Sequence, residues 1–415
     1  MRKKVAVVGL AVALLAVAGV VGASASSGSK STVNKYGIDS AKRPVHIGLI
    51  AIQLPAIDLG RLFNIGGDAA AYYINHHGGF GGRKVVLDKC NSQINPAVDL
   101  SCAHRILAKH PLAEYGCDVV TSASGALTLL GSHGVPVFSC TNTKEDFTYR
   151  WSFGLHPGAT GEQAGWAKFV CTMKNVHKTV LFGQDQPEQR KDSTAAIQPV
   201  IEGCGKTFDA VYSPVTPTDY TPYVQQALSK NPDFVFLSQS AAQTAAIAKL
   251  FQQNGFRADR LIVLDSSASY QTTLKLAGSA MDGTYQCSGW KPWDHTSDPE
   301  IKTFVKSVKA VSSEDTRNNA IEYGYGHLMA IWTGAKAVGF AKVTPANGSV
   351  NGAKLATFFR TRTNVHLPIT HSLINPGPKS APAVKQPYCQ IQQWKGGKWH
   401  IVPTGPKKDG WVNGF

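Results

Sequence analysis

The sequence is poor in charge and poorer in acid. Charged residues make up 17% of 415, with 27 Asp and Glu against 42 Lys and Arg, for a formal charge of +15. Such a balance can serve a nucleic acid or a membrane surface. Here the basic residues are scattered, and no run of them interleaves with aromatics as a nucleic-acid groove requires. There is no C-x-x-C pair and no H-E-x-x-H, and the 13 histidines show no ligand spacing, which argues against metal. The G-x-S-x-G elbow of secreted α/β hydrolases is missing, and with it any nucleophile with a base and orienter. The glycines between Gly78 and Gly82 follow a helical run and precede a strand, so they read as a turn and not as a phosphate loop. No apolar run beyond residue 21 is long enough to span a bilayer.

What is present begins with an export signal. Arg2, Lys3 and Lys4 precede an apolar stretch from Val5 to Val21, and Ala23-Ser24-Ala25 forms an A-x-A site. Cleavage is expected after Ala25, making 1–25 a signal peptide. The first cysteine is Cys90, so no lipid-anchor cysteine stands at the cleavage site. The mature chain is expected to be soluble outside the cytoplasm. The even set Cys90, Cys102, Cys117, Cys140, Cys171, Cys204, Cys287 and Cys389 reads as disulfides in that compartment.

Residues 26–44 form a flexible leader rich in Ser, Lys, Gly and Thr. The pattern then alternates. Strands are expected at 45–50, 85–88, 118–121 and 135–138, with helices at 59–76 and from Pro96 to about 109. His76-His77 would close the first helix, where the dipole favours them. The alternation restarts with strands at 178–182, 210–212, 233–237 and 261–264, and helices at 192–202, 220–230 and 242–254. Apolar strands alternating with amphipathic helices imply parallel sheets covered on both faces. The length suits two domains, and two such series predict two doubly wound lobes parting near residue 155. Residues 344–387 read as loop, broken by Pro368, Pro376, Pro378, Pro382 and Pro387, and Lys395-Gly396-Gly397-Lys398 marks a terminal hairpin.

Doubly wound sheets bind ligands at the carboxyl ends of their strands. That rule nominates Gln53, Leu54, Ser122, Ser124, Thr141, Asn142, Gln184, Asp185, Gln239, Ser240, Asp265 and Ser266, with Trp290 and Tyr323 as cleft walls. Each of these is also an ordinary loop or core residue type. A helix after Ser122-Ala123-Ser124 would aim free N–H groups at an anion.

Four stretches resemble the periplasmic binding proteins of the branched-chain amino acid type. They are Val45–Ile50; Gly66–Asn75 with the turn Gly78-Gly79-Phe80-Gly81-Gly82-Arg83; Asp219–Val224 with Asn231–Leu237; and Gly283-Thr284-Tyr285 with Tyr323-Gly324-Tyr325. The resemblance covers about residues 45–343. It implies a type I fold, with lobe 1 at 45–155 and 289–360, lobe 2 at 156–288, a three-crossing hinge, and the tail 361–415 ending in a hairpin on lobe 2. It implies solute binding for an ABC importer without catalysis or cofactor, a membrane permease as partner, and a monomer. An extracellular sensor of the same fold is the alternative. Thr121-Ser122-Ala123-Ser124 stands where the family binds a carboxylate, and Asp265 where it receives an ammonium. The resemblance implies the pairs Cys90–Cys102, Cys171–Cys204 and Cys287–Cys389, and leaves Cys117 with Cys140 by elimination. The strand limits above put the last pair at opposite ends of neighbouring strands.

Overall fold

The computed structural model describes residues 32–53, 59–93, 95–117, 124–139, 149–214, 217–264, 271–362, 365–371, 387–404 and 407–414. Two sheets organise the chain. The first is wholly parallel: β1 (Val45–Ala51), β2 (Val85–Asn91), β3 (Ala113–Cys117) and β4 (Val137–Ser139), in the order β2-β1-β3-β4. Between these strands run α1 (Leu59–Asn75), α2 (Pro96–Leu107) and α3 (Ser124–Ser132). The chain then passes to the second sheet through α4 (Gly158–Cys171).

The second sheet alternates β5 (Lys178–Gln184), α5 (Pro187–Gly203), β6 (Thr207–Ser213), α6 (Thr221–Ser229), β7 (Phe234–Ser238), α7 (Ala241–Gln253), β8 (Leu261–Leu264), α8 (Gln271–Ala277) and β9 (Tyr285–Ser288). After β9 the chain adds α9 (Pro299–Val311), α10 (Asn319–Val338), a short α11 (Phe340–Val343) and α12 (Gly352–Thr361). It ends in β10 (Tyr388–Lys395), β11 (Lys398–Ile401) and β12 (Trp411–Asn413). The strand order is β11-β10-β9-β8-β7-β5-β6, with β12 also on β10; the last three strands are antiparallel additions to a parallel core.

The sequence dictates this layering. β1, β5 and β7 are almost continuously buried, as strands covered on both faces must be. On one face of the second sheet, Trp166, Phe169, Ile197 and Ile201 pack on Leu181, Phe234 and Phe236. On the other, Val224, Ile247 and Phe251 cover Val180, Phe182, Val235 and Leu237. Each such side chain contributes about 1.5–3 kcal/mol. The turn after α1 places Gly78, Gly79, Gly81 and Gly82 at positive φ, which explains the glycine cluster.

Several expectations need correction. The strand expected at 118–121 is β3, five residues earlier, and 118–121 lie outside the described residues. Glu114 interrupts the apolar pattern that β3 would otherwise show. In the fold Glu114 is buried and its Oε1 accepts the Ile50 N–H at 3.3 Å. Residues 344–387 are not all loop, since α12 carries the apolar stripe Leu355, Ala356 and Phe359. The disulfides Cys90–Cys102, Cys171–Cys204 and Cys287–Cys389 are formed, with Cα separations of 5.7, 5.9 and 5.1 Å. Cys117 is the last residue of β3, not the first of its strand, so the reason for setting it at the opposite end from Cys140 disappears. The Cys117 side chain and Cys140 lie outside the described residues.

Candidate functional site

Both sheets reverse their order of winding. In the first sheet β1 has β2 on one side and β3 on the other; in the second β5 lies between β6 and β7. The crevice of a doubly wound sheet opens at the carboxyl ends of such strands. The polar residues at these ends form the candidate site.

On the second sheet they make a wall of amides and hydroxyls. Gln184, ending β5, donates from Nε2 to Gln243 Oε1. Gln243 also accepts from the Ser240 N–H at 3.2 Å and from Ser240 Oγ at 2.8 Å, closing a capping box at the start of α7. Gln239 is buried and reaches Ser213 Oγ at the end of β6 at 3.5 Å. Gln163 of α4 donates to Ser238 Oγ at 3.0 Å. Asp185 carries the only fixed charge at the described ends of β5–β8, and Arg190 pairs with it at 3.2 Å.

On the first sheet, Gln53 is exposed and held by its backbone: its N–H donates to Asn91 Oδ1 at 2.9 Å, and Asn91 Nδ2 donates to its carbonyl at 2.7 Å. Leu54, Ser122, Thr141, Asn142, Asp265 and Ser266 lie outside the described residues. Ser124 opens α3, and its side chain also lies outside them.

Where the connections between sheets meet, an aromatic cluster forms around His156. Tyr323, on the first turns of α10, bonds through Oη to His156 Nε2 at 2.7 Å. His156 Nε2 also lies 3.1 Å from Glu162 Oε1 in α4. The Gly158 N–H donates to His156 Nδ1 at 3.0 Å, so the proton of a neutral ring sits on Nε2, facing Tyr323 and Glu162. The Trp290 ring lies 5.1 Å from Tyr323, 6.1 Å from His156 and 5.7 Å from His327. His327 is fully buried and its Nδ1 donates to the Tyr323 carbonyl at 2.7 Å. Burial, with the neighbouring His156 charge acting the same way, pushes its pKa down to about 4, against the pull of its backbone hydrogen bonds. Trp290 and Tyr323, expected as cleft walls, pack against each other as buried members of the joint between the sheets. Sequence reasoning missed His156, Glu162, Gln163, Gln243 and His327. The one signal for His156 was its place beside the expected lobe boundary.

The connections are tied to one another. Trp290 bridges Thr370, the Lys291 N–H donates to the Ile369 carbonyl at 2.9 Å, and Gln392 Nε2 donates to the Trp290 carbonyl at 2.9 Å. Glu300 accepts from Lys291 Nζ at 2.8 Å, from His366, and from the Ile369 N–H at 3.0 Å. Among the described residues no cluster of three His, Cys, Asp or Glu is placed to hold a metal, and no helix is long and apolar enough to cross a membrane.

Comparisons with known proteins agree with this geometry. A family model described as periplasmic binding protein matches residues 44–374. Among solved structures, an ABC transporter substrate-binding protein from Sphaerobacter thermophilus aligns with a TM-score of 0.73 at 17% identity, covering 90% of this chain and 100% of that one. A solute-binding protein of an ABC transporter from R. palustris, in complex with 4-hydroxybenzoate, gives 0.69 at 16%, covering 89% and 97%. A leucine binding protein from Thermotoga maritima gives 0.66 at 17%, covering 89% and 99%. At these identities the likeness establishes the type I two-sheet fold. No curated protein sequence matches the chain. With a family model spanning most of its length, the chain belongs to the periplasmic binding protein family, whose members bind solutes and do not transform them.

Proposed function

We propose that this chain is the extracytoplasmic solute-binding component of an ABC importer, exported by its residues 1–25 and read by a membrane permease. The two sheets would form lobes at 45–155 with 289–360 and at 156–288 with the terminal hairpin, closing on a ligand in the crevice between them. The ligand we propose is a small polar molecule with an anionic group, an amino acid or a related compound. The observation that carries this reading is the convergence of amides and hydroxyls at the strand ends around β5 and β7, with no unpaired charge among the described ones. Such a wall orients a polar solute without fixing it by one strong contact.

Ser122 and Ser124 would hold the anionic group and Asp265 an ammonium. Asp185 is the weaker choice for that ammonium because Arg190 already pairs with it. The R. palustris protein is described with 4-hydroxybenzoate and the Thermotoga protein as a leucine binder. Both molecules carry a carboxylate, and only leucine carries an ammonium, so the two ligand types can be told apart here. A thermal-shift screen over amino acids, aromatic and aliphatic acids, polyols and purines should return an acid, because a ligand stabilises by mass action whatever its chemistry. If the hit is an amino acid, Asp265→Asn should weaken it at least about tenfold, the scale of a lost charge-assisted bond. A hit with no ionised group would sink the ligand assignment and leave the transport role standing.

A further inference from the structure

A second concave site lies at the amino-terminal edge of the first sheet, the edge opposite the crevice. It has a volume of about 420 Å³ and is bounded by Arg43 before β1, His110 before β3, His133 after α3, and the turn at 347–350 that leads into α12. No Asp or Glu lines it.

The charge beneath it is also positive and also unneutralised. Arg83 is 2% exposed, and its guanidinium donates only to backbone carbonyls: Arg43 at 2.8 Å, Pro44 at 3.0 Å, Pro345 at 3.4 Å, Gly348 at 2.8 Å and Ser349 at 2.7 Å. Among the described residues, no carboxylate lies within ion-pair distance of Arg83 or of Arg43. Burial, and then the Arg43 charge beside it, hold the Arg83 pKa below the ordinary arginine value. Buried cations are otherwise paired with acids, because desolvation is costly without a counter-charge. Two adjacent guanidinium groups therefore share this corner with no anion between them.

The lining is held in place. Arg83 ties down the 345–349 turn, and Gly348, at φ +86°, leaves only 2.9 Å between an added Cβ and Arg43 Cδ, so the Arg43 stem lies along that turn. His133 donates from Nδ1 to the Leu129 carbonyl at 3.0 Å, so its Nε2 can donate to an anion only when the ring is protonated. An arginine fork and two imidazoles supply more donors than the two oxygens of a carboxylate use well, whereas a phosphate offers three or four acceptor oxygens. The lining contains no Phe, Tyr or Trp on which a base could stack.

We propose that this cavity binds a phosphate group, with Arg43 as the bidentate contact, His110 as a further donor, His133 joining it in its protonated form, and the buried Arg83 as a fixed positive field behind them. The group can come from free phosphate or from a phospholipid headgroup, and the two are separable. Calorimetric titration with inorganic phosphate, at ionic strength held constant with chloride, should show saturable binding at one site. Arg43→Ala should weaken it at least about tenfold and His133→Ala by less, in line with the loss of a charged bidentate contact. Both side chains are exposed, and an unchanged unfolding midpoint without phosphate checks that each variant folds. If the source is lipid, the chain should co-sediment with phosphatidylglycerol vesicles and not with phosphatidylcholine, and Arg43→Ala should abolish this. Binding to neither probe, or binding to either that Arg43→Ala leaves unchanged, overturns the proposal.

Discussion

At the scale of single residues, contacts too close for any side chain decide the packing. A Cβ on Gly66 would lie 2.1 Å from the Ile321 carbonyl, and one on Gly324 would lie 2.0 Å from the Phe63 carbonyl. The two glycines let α1 and α10 cross backbone to backbone, whereas an added Cβ on the neighbouring Gly67 would meet Tyr115 Oη of β3 at 2.4 Å. Gly66→Ala should destabilise by at least about 1–3 kcal/mol, because the atom it meets is backbone and cannot swing away; the urea midpoint reports it. Tyr323 is the second such position. Tyr323→Phe keeps the ring against Trp290 and removes Oη from His156, which keeps Glu162 and the Gly158 N–H. A loss of about 1–2 kcal/mol is expected in urea unfolding, the value of a buried hydrogen bond with a polar partner left behind. No loss would mean that the partners left to His156 satisfy it without Tyr323.

Among elements, the disulfides do unequal work. Cys90–Cys102 joins β2 to α2 across 12 residues, Cys171–Cys204 joins α4 to the end of α5 across 33, and Cys287–Cys389 joins β9 to β10 across 102. In the chain-entropy view the stabilisation grows from about 3 kcal/mol for the shortest loop to nearly 5 for the longest. Replacing each pair by Ala should lower the denaturant midpoint in that order. The last bridge should matter most for a second reason. It pins the returning terminal strand to the second sheet, under Gly165 of α4, where an added Cβ would sit 2.5 Å from Cys389 Sγ. If removing Cys287–Cys389 costs no more than removing Cys90–Cys102, strand pairing alone holds the tail. The elements themselves were largely legible, since β5, β7, β8 and the hairpin fall where alternation and turn residues put them. α12 was hidden by the prolines around it, and β3 by a buried glutamate, because both depend on what the neighbouring elements supply.

Over the whole molecule, the largest acid responses should come from two buried groups of opposite sign. Burial lowers His327 from 6.5 to about 4, so between these values the unfolded chain holds a proton that the fold does not, and stability falls on acidification by roughly 3 kcal/mol. Burial raises Asp99, 1% exposed, from 3.8 to about 6, partly offset by Ser92, so over that span the fold holds the extra proton and acidification stabilises. The two oppose each other, and the wild-type profile between pH 6.5 and 4 should be nearly flat. His327→Asn should turn it into a rise in stability on acidification, and Asp99→Asn into a fall, as read by unfolding free energy against pH. Below about pH 4 a second loss follows. Asp298 and Glu300 have depressed pKa values through Lys291 and their backbone donors, against the cost of burial, so the stability they contribute is lost as they protonate. Glu300 ties the second connection between the sheets to the third, so the loss should appear first at the joint.

The sequence by itself determined the alternating strands and helices, the two series, the parallel cores and the strand ends on which a ligand site can be built. Those follow from side-chain periodicity and turn residues, which act over a few positions along the chain. Only the tertiary structure decided which polar groups face one another. His156 meets Glu162 six residues on, but meets Tyr323 across 167 residues. Gln239 meets Ser213 across two strands, and Arg83 is buried among carbonyls from 43–44 and 345–349. Such pairings are fixed by sheet order and by the return of the chain through its connections, where burial makes an unmatched polar group costly and so selects its partner.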